Sequence, residues 1–364
     1  MTTSEANIDF THLESYLSAE LGEAVTGTEV LRDGLNLSLA ISTERDAKAY
    51  VLRHPNMLRH TSYINELEQE YEVMQRLRET TVRTPAPVLF CDDESILGDS
   101  FFVMTHLDGE AVPLGFDLPD RFRNAKSRAR LADNLIDTLA ELHSLAVEPF
   151  EGVCEQKTPR ELVARTTDRL VASANATGHE PPELQSVAKW LRRNAPSKTE
   201  TALVHGDFRP GNVLFAERNG PGIIGVLDWE TAMCGDPRTD LGYLLLRWRD
   251  KDDPTPSLDE LEARYSNEDA IEQLRERNEN GISPFTAKSG SPTRRELVTR
   301  YEDETGIQFE NERFYRAHAA FSLAVVWEDF HRERIEAGEE SDWEPYIDYM
   351  LMIAESIARG EFPL

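Results

Sequence analysis

The stretch His205-Gly206-Asp207-Phe208-Arg209-Pro210-Gly211-Asn212, followed by Asp228 in Gly225-Val226-Leu227-Asp228-Trp229-Glu230, sets an acid, an amide and a second acid close together along the chain. Its form is H-x-D-x-x-x-x-N, then a short hairpin, then Asp. In such a set one carboxylate can orient a hydroxyl nucleophile while an amide oxygen and another carboxylate hold Mg²⁺ against phosphate oxygens. The chemistry this suits is ATP-dependent phosphoryl transfer. Asp and Asn are common turn formers when taken singly. The combination of residue types, one spacing and a hairpin is what carries the reading.

Val213 to Ala216 is apolar, Glu217 to Gly222 is dense in turn residues (Arg218-Asn219-Gly220-Pro221), and Ile223 to Leu227 is apolar again. This reads as strand, turn, strand. Pairing about Gly220 sets position 212 opposite 228, so Asn212 and Asp228 are expected to meet at the open end of the hairpin and bind Mg²⁺. Asp207, five residues before Asn212, is free to face a substrate hydroxyl. Arg209, inside the loop, is a candidate to stabilise charge on the phosphoryl group in transit.

Other segments must position this loop. Residues 8–22 form an amphipathic helix with Leu13, Tyr16, Leu17 and Leu21 on one stripe. Apolar runs between Thr28 and Pro55, broken at Asp33-Gly34 and Thr43-Glu44-Arg45-Asp46, predict three antiparallel strands. Asn65 to Arg78 is a helix with Leu67, Tyr71, Met74 and Leu77 spaced for burial, and Pro85–Leu89 and Ser100–Leu107 are two more strands. Further on the pattern turns helical, at 126–146, 158–174, 183–194, 240–249, 294–305, 311–337 and 343–359. Residues 250–294 are acidic and rich in turn formers, as in a lid, part of a substrate wall or a surface insertion. Trp327 and Trp343 suit either a core or a substrate platform.

At these residues the chain resembles the aminoglycoside phosphotransferase and choline kinase group, small-molecule relatives of the protein-kinase fold. His205-Gly-Asp207 through Asn212 is similar to their catalytic loop, and Asp228 to their second metal-binding Asp. Gly235-Asp236-Pro237-Arg238-Thr239-Asp240-Leu241 resembles the segment that follows, in which an Asp matching Asp240 braces the loop. Leu139-Ala140-Glu141-Leu142-His143 and Tyr50-Val51-Leu52-Arg53-His54-Pro55 resemble the helix before the loop and the third strand. The likeness covers roughly two thirds of the chain, Thr28 to Arg249. It implies an α+β, protein-kinase-like fold of two lobes. Residues 1–106 would form an antiparallel β-sheet lobe with one main helix, and 107–364 a larger, mostly helical lobe, with a hinge at 104–109. It also implies ATP and Mg²⁺ as cofactors and a hydroxyl of a small molecule as acceptor. Adenine would lie against the hinge backbone at Met104 and His106. Arg53 would contact the nucleotide phosphates, held by Glu70, with Glu66, Glu68 and Glu72 competing for that role. Asn36 and Ser38 would hydrogen-bond phosphate. Two departures stand out: Arg53 replaces the usual Lys, which its planar fork does not imitate, and Gly34-Leu35-Asn36-Leu37-Ser38 has one Gly where a run of glycines is usual. They leave open an alternative, a nucleotide-binding regulator without turnover. A metallophosphoesterase is disfavoured, because it needs several imidazole ligands and His205 alone lies in the cluster.

The chain has 364 residues, enough for two lobes with cores of their own. It has 67 acidic residues against 39 basic ones, a net charge of −28, and only seven of the basic residues are Lys. Nucleic acid and anionic membranes would be repelled, so neither is expected as a partner; oligomeric state is open. Self-repulsion of this size is screened at molar salt, where the Debye length is about 3 Å, and halophiles use this balance. A salt-adapted, haloarchaeal protein is the expectation. Cys91, Cys154 and Cys234 have neither disulfide nor metal spacing, and Met1 to Phe10 lacks a secretory pattern, so a reduced cytoplasm is expected. An acidic wall would suit polycations such as aminoglycosides, but acidity spread over the whole chain fits salt adaptation equally well.

Overall fold

A computed structural model describes residues 8–34, 36–55, 65–217 and 220–364. Outside these lie residues 1–7 of the N-terminal segment, Leu35 of the glycine-poor loop, residues 56–64, and Arg218 and Asn219 of the hairpin turn.

Period-two alternation builds the first lobe. Strands β1 (Val25–Asp33), β2 (Asn36–Thr43), β3 (Tyr50–Pro55), β4 (Pro87–Cys91) and β5 (Phe101–Thr105) form one antiparallel sheet in the order β1-β2-β3-β5-β4. Leu37, Leu39, Ile41, Leu52, Phe101 and Val103 gather on one face, under helix α1 (Phe10–Leu21) with its buried Leu13 and Leu17. The Asp9 carboxylate caps α1 by accepting from the His12 amide at 3.1 Å, and Gly22 closes it in a left-handed conformation. Residues of the other parity are thereby driven to the opposite face. Asn36, Ser38, Arg53 and Met104 line the cleft there, beside helix α2 (Leu67–Leu77). The β2–β3 register sets Ser38 directly across from Arg53. The four-residue helix α3 (Glu94–Leu97) links β4 to β5.

The second lobe is mostly helical: α4 (Ala125–His143), α5 (Pro159–Thr177), α6 (Leu184–Asn194), α7 (Arg238–Leu246), α8 (Asp259–Arg264), α9 (Glu268–Asn280), α10 (Arg294–Thr305), α11 (Glu312–Glu336) and α12 (Glu344–Arg359). Three short strands, β6 (Gln156–Lys157), β7 (Ala202–Val204) and β10 (Met233–Gly235), pair in the order β6-β10-β7, and β8 (Val213–Glu217) with β9 (Pro221–Val226) forms a hairpin. Leu131, Leu135, Leu139 and Leu142 of α4 are fully buried, each worth about 2–5 kcal/mol against alanine. Helix α11 packs against α5, α7 and α12 and is buried around most of its girth, which is why Leu323-Ala-Val-Val-Trp327 shows no polar face. Gly242 permits the α7–α11 crossing, since a Cβ there would lie 2.7 Å from the Tyr315 Cβ.

Two expectations are refined. Residues 250–294, rich in turn formers, also contain the helices α8 and α9. Only Ala270, Ile271, Leu274 and Asn278 of the 13-residue α9 are buried, a stripe too sparse to stand out in the sequence. Helix α7 starts at Arg238, not Asp240, because the Asp236 carboxylate accepts from the Arg238 amide at 3.0 Å and satisfies an N–H of the first turn. The three cysteines are free and buried. Among the described residues no helix is long and apolar enough to cross a membrane.

Candidate active site

Strand β7 delivers His205 and the loop that follows, and one carboxylate pins both to the helical lobe. Asp240, at the start of α7 and fully buried, accepts from the amides of His205 (2.7 Å) and Gly206 (2.8 Å). His143, at the end of α4, donates from Nε2 to Asp240 at 3.2 Å and accepts at Nδ1 from the Tyr301 hydroxyl at 2.7 Å. Gly206 is left-handed, with φ of 84°, and a Cβ there would lie 2.7 Å from the Thr231 carbonyl. The His205 imidazole is held in one tautomer: Nε2 donates to the Leu227 carbonyl at 2.8 Å and Nδ1 accepts from the Asp207 amide at 3.2 Å.

This frame presents Asp207. Its carboxylate accepts from Arg209 Nε, 3.1 Å from each oxygen, and from Asn212 Nδ2 at 2.6 Å. Arg247 Nη2 stands 3.9 Å away. Burial would raise the pKa of Asp207, but Arg209, Arg247 and a hydrogen bond from Tyr243 outweigh it and hold the group below the usual carboxylate value. The Asn212 amide nitrogen is engaged by Asp207, whereas its Oδ1 is buried without a hydrogen-bond partner.

The hairpin register differs from expectation. Glu217 pairs with Pro221, and a register shift between Leu214 and Phe215 leaves Val213 opposite Val226. Asn212 therefore faces Leu227, accepting its amide at 2.8 Å, and not Asp228. The turn is centred one residue earlier than Gly220, and the shift recovers only half of the difference. Asp228 lies just beyond the ladder in a left-handed conformation (φ 62°, ψ 63°) that is costly for a non-glycine residue. It lines the interlobe cleft together with Asp207.

Across the cleft, Arg53 is almost fully buried and meets three carboxylates. Nε lies 3.2 Å from Glu70, Nη1 donates to Asp228, and Nη2 donates to Glu230 at 2.6 Å. Of the acids on α2, Glu70 is the one brought to Arg53, while Glu72 pairs with Arg76 at 3.4 Å. Burial acts to raise the pKa of Asp228, but Arg53 prevails and brings it down to about 2. Glu230 is a site residue that the motif reading did not single out. Its signal was its position two residues after Asp228 in Asp228-Trp229-Glu230. Asn36 is held by Glu230 as well, donating from Nδ2 at 2.7 Å.

Two cavities meet at Asp207. One, of about 400 Å³, lies between the lobes and is lined by Ser38, Arg53, Met104, His106, Leu214 and Asp228, among others. The His106 amide itself donates to the Ala49 carbonyl at 3.0 Å. The other, of about 530 Å³, lies in the helical lobe beside Tyr243 and Arg247, with Leu114, Leu323, Val326, Trp327 and Phe330 as its apolar wall. Its charged groups are Arg32, Arg169, Arg209 and Arg247 against Asp207, Glu230 and Asp329. Asp329 pairs with Arg169 and accepts from the Ser173 hydroxyl at 2.6 Å. The Arg247 guanidinium lies 3.8 Å from the centre of the Tyr243 ring. Arg169, Tyr243, Arg247 and Asp329 come from α5, α7 with its C-terminal cap, and α11, far apart in sequence, and no local motif marks them.

The sheet lobe, the helical lobe and the braced loop between two cavities define the two-lobe architecture of small-molecule phosphotransferases. The profile of the phosphotransferase enzyme family matches residues 26–277, well over half of the chain, and the chain belongs to that family. It is 30% identical over 246 residues to acyl-CoA dehydrogenase family member 11 of Rattus norvegicus, an alignment covering 65% of this chain and 31% of the rat protein. The chain thus spans about a third of the length of that curated relative. A Ralstonia eutropha structure assigned as an aminoglycoside phosphotransferase shares the fold with a TM-score of 0.72 at 22% identity, over 97% of this chain and 99% of that one. ADP-bound aminoglycoside phosphotransferase APH(2'')-Ib aligns with a TM-score of 0.55 at 16% identity, over 95% and 98% of the two chains.

Proposed function

We propose that this protein transfers the γ-phosphoryl group of ATP to a hydroxyl of an amphipathic, anion-bearing small molecule. The observation that carries the reading is the position of Asp207, at the junction of an interlobe cavity and a second, arginine-bearing one. In the step proposed, the acceptor oxygen bonds to the γ-phosphorus as the bond to the β-phosphate oxygen breaks, ADP leaves, and the hydroxyl proton passes to Asp207. A carboxylate with a lowered pKa is a weak base. Its main contribution is therefore to orient the hydroxyl, which suffices where the transition state is loose. Arg209 supplies positive charge beside the phosphoryl in transit, and Arg53 faces the nucleotide phosphates from the sheet lobe.

The unpartnered Asn212 Oδ1 and the ionised Asp228 are hard oxygen donors of the kind Mg²⁺ takes, and these two residues would hold it. When bound, the ion supplies charge neutralisation on the phosphate oxygens. The use of ATP is supported by the ADP complex of a fold neighbour.

The walls of the second cavity favour an acceptor with an apolar body and a negative group, and they disfavour a polycation. The rat relative is by name an acyl-CoA dehydrogenase family member. A hydroxylated acyl group, free or as a thioester, is the acceptor class we favour. The test is ADP release from ATP and Mg²⁺ with hydroxylated acyl-CoAs, hydroxycarboxylic acids and aminoglycosides as acceptors. Turnover is expected with the acyl acceptors and a fall of about 100-fold or more in Asp207→Asn. Full turnover by Asp207→Asn would refute the role of Asp207. Stabilisation by ATP without ADP release from any acceptor would favour the non-catalytic alternative.

A further inference from the structure

Behind the second cavity, on the far side of Arg247, lies a small, half-open space of about 50 Å³ between the end of α7, the end of α9, and helices α11 and α12. Five arginines line it: Arg247, Arg249, Arg277, Arg294 and Arg316. Asp253 is the one carboxylate among the lining residues. Arg247, Arg294 and Arg316 are 3%, 2% and 1% exposed, and the Nε atoms of Arg247 and Arg316 are buried without a hydrogen-bond partner.

The surrounding carboxylates do not balance this charge. Asp253 and Asp250 are engaged by Arg294, at 2.7 and 3.6 Å, and Glu312 by Arg316 at 2.8 Å. Asp207 reaches Arg247 only at 3.9 Å and is shared with Arg209. Among the described residues neither Arg249 nor Arg277, both part-exposed, has a carboxylate partner. Arg249 donates to the Thr255 hydroxyl at 3.2 Å, and Arg277 lies 4.8 Å from the Tyr346 ring centre. Burial and the neighbouring Arg294 push the pKa of Arg316 down, and Glu312 and Asp253 only partly offset them. Such an excess is unexpected in a chain of net charge −28. Buried like charges are costly unless paired. Water can satisfy an N–H but cannot cancel the charge. The space exceeds the roughly 10–15 Å³ that one water needs.

We propose that this cavity is a binding site for one small inorganic anion, a halide or phosphate, clamped by Arg247, Arg249, Arg277 and Arg316. The site does not depend on the phosphoryl-transfer reading. Because Arg247 forms the wall between it and the second cavity, the anion would also hold that arginine in place beside Asp207.

The full chain is titrated with bromide, and separately with inorganic phosphate, in potassium gluconate at constant ionic strength, gluconate being the bulky reference anion. A saturable rise in melting temperature with either anion is expected, and the better of the two identifies the source. In Arg277→Gln the apparent affinity should fall by about tenfold or more, one charge-assisted bond being lost. Arg275→Gln, an exposed change on the same helix, should leave it unchanged. Independently of any variant, a bromide-soaked crystal should show an anomalous peak in the cavity, or a phosphate soak tetrahedral density. The absence of both features, or titrations unaffected by Arg277→Gln, overturns the proposal.

Discussion

Arg53 accounts for one departure from the family pattern. Its three nitrogens each address a different carboxylate: Nε to Glu70, Nη1 to Asp228 and Nη2 to Glu230. A lysine ammonium is a point charge on a flexible stem and cannot span three acids in fixed directions. Removing the guanidinium in Arg53→Met leaves those acids facing one another in a cleft, and stability should fall by about 3–5 kcal/mol. Urea unfolding measures this, and a loss below about 1 kcal/mol would show that the acids are compensated in another way. Asp228 has its pKa lowered to about 2 in the fold. Its contribution to stability is therefore present above its unfolded value near 3.9 and lost as pH falls from there toward 2. A pH titration of wild type should show this acid limb, and Asp228→Asn should show a shallower one. Asp207, Asn212, Arg53 and Asp228 were all legible in the sequence because they sit in a local motif or on a strand of clear parity. Glu230 is brought to Arg53 by the short helical turn after Asp228, and Arg169 and Arg247 by helix packing. No spacing in the sequence encodes those arrivals.

At the scale of elements, the long apolar stripes were readable: α1, α2, α4 and the alternating strands of the sheet all form where periodicity places them. The failures share one cause, local geometry with too few apolar residues to reveal it, as in α9 and in the shifted hairpin. One junction between elements makes a further prediction. His179, just after α5, donates from Nδ1 to Glu328 of α11 at 2.7 Å and lies 3.2 Å from Asp348 of α12, with Tyr265, Arg264 and His331 close by. Burial opposes its charge, but the bonds to Asp348 and Glu328 prevail and raise its pKa to about 9. A raised folded value stabilises fully below the unfolded pKa of about 6.5, and the contribution is lost as pH rises through about 9. Stability should fall across that window by on the order of 3 kcal/mol, and His179→Gln should flatten the slope. Equal slopes in the two proteins would mean that His179 is not the group titrating.

Over the whole molecule the charge is uneven. The chain carries −28, yet arginines collect around the second cavity and the space behind it. We propose salt adaptation as the reason for the general acidity. Melting temperature should rise from low to molar KCl as repulsion is screened, and greatest stability at low salt would contradict this. The sequence by itself determined the phosphotransferase class, the two-lobe architecture and the loop to which we assign the chemistry. These rest on short-range spacing, turn chemistry and the parity of strands, all written along the chain. Only the tertiary structure decided the partners of Arg53, the register that sets Asn212 opposite Leu227, and the apolar, arginine-bearing walls of the second cavity. Those walls are assembled from residues separated by more than a hundred positions, and burial against neighbouring helices, not local propensity, is what brings them together.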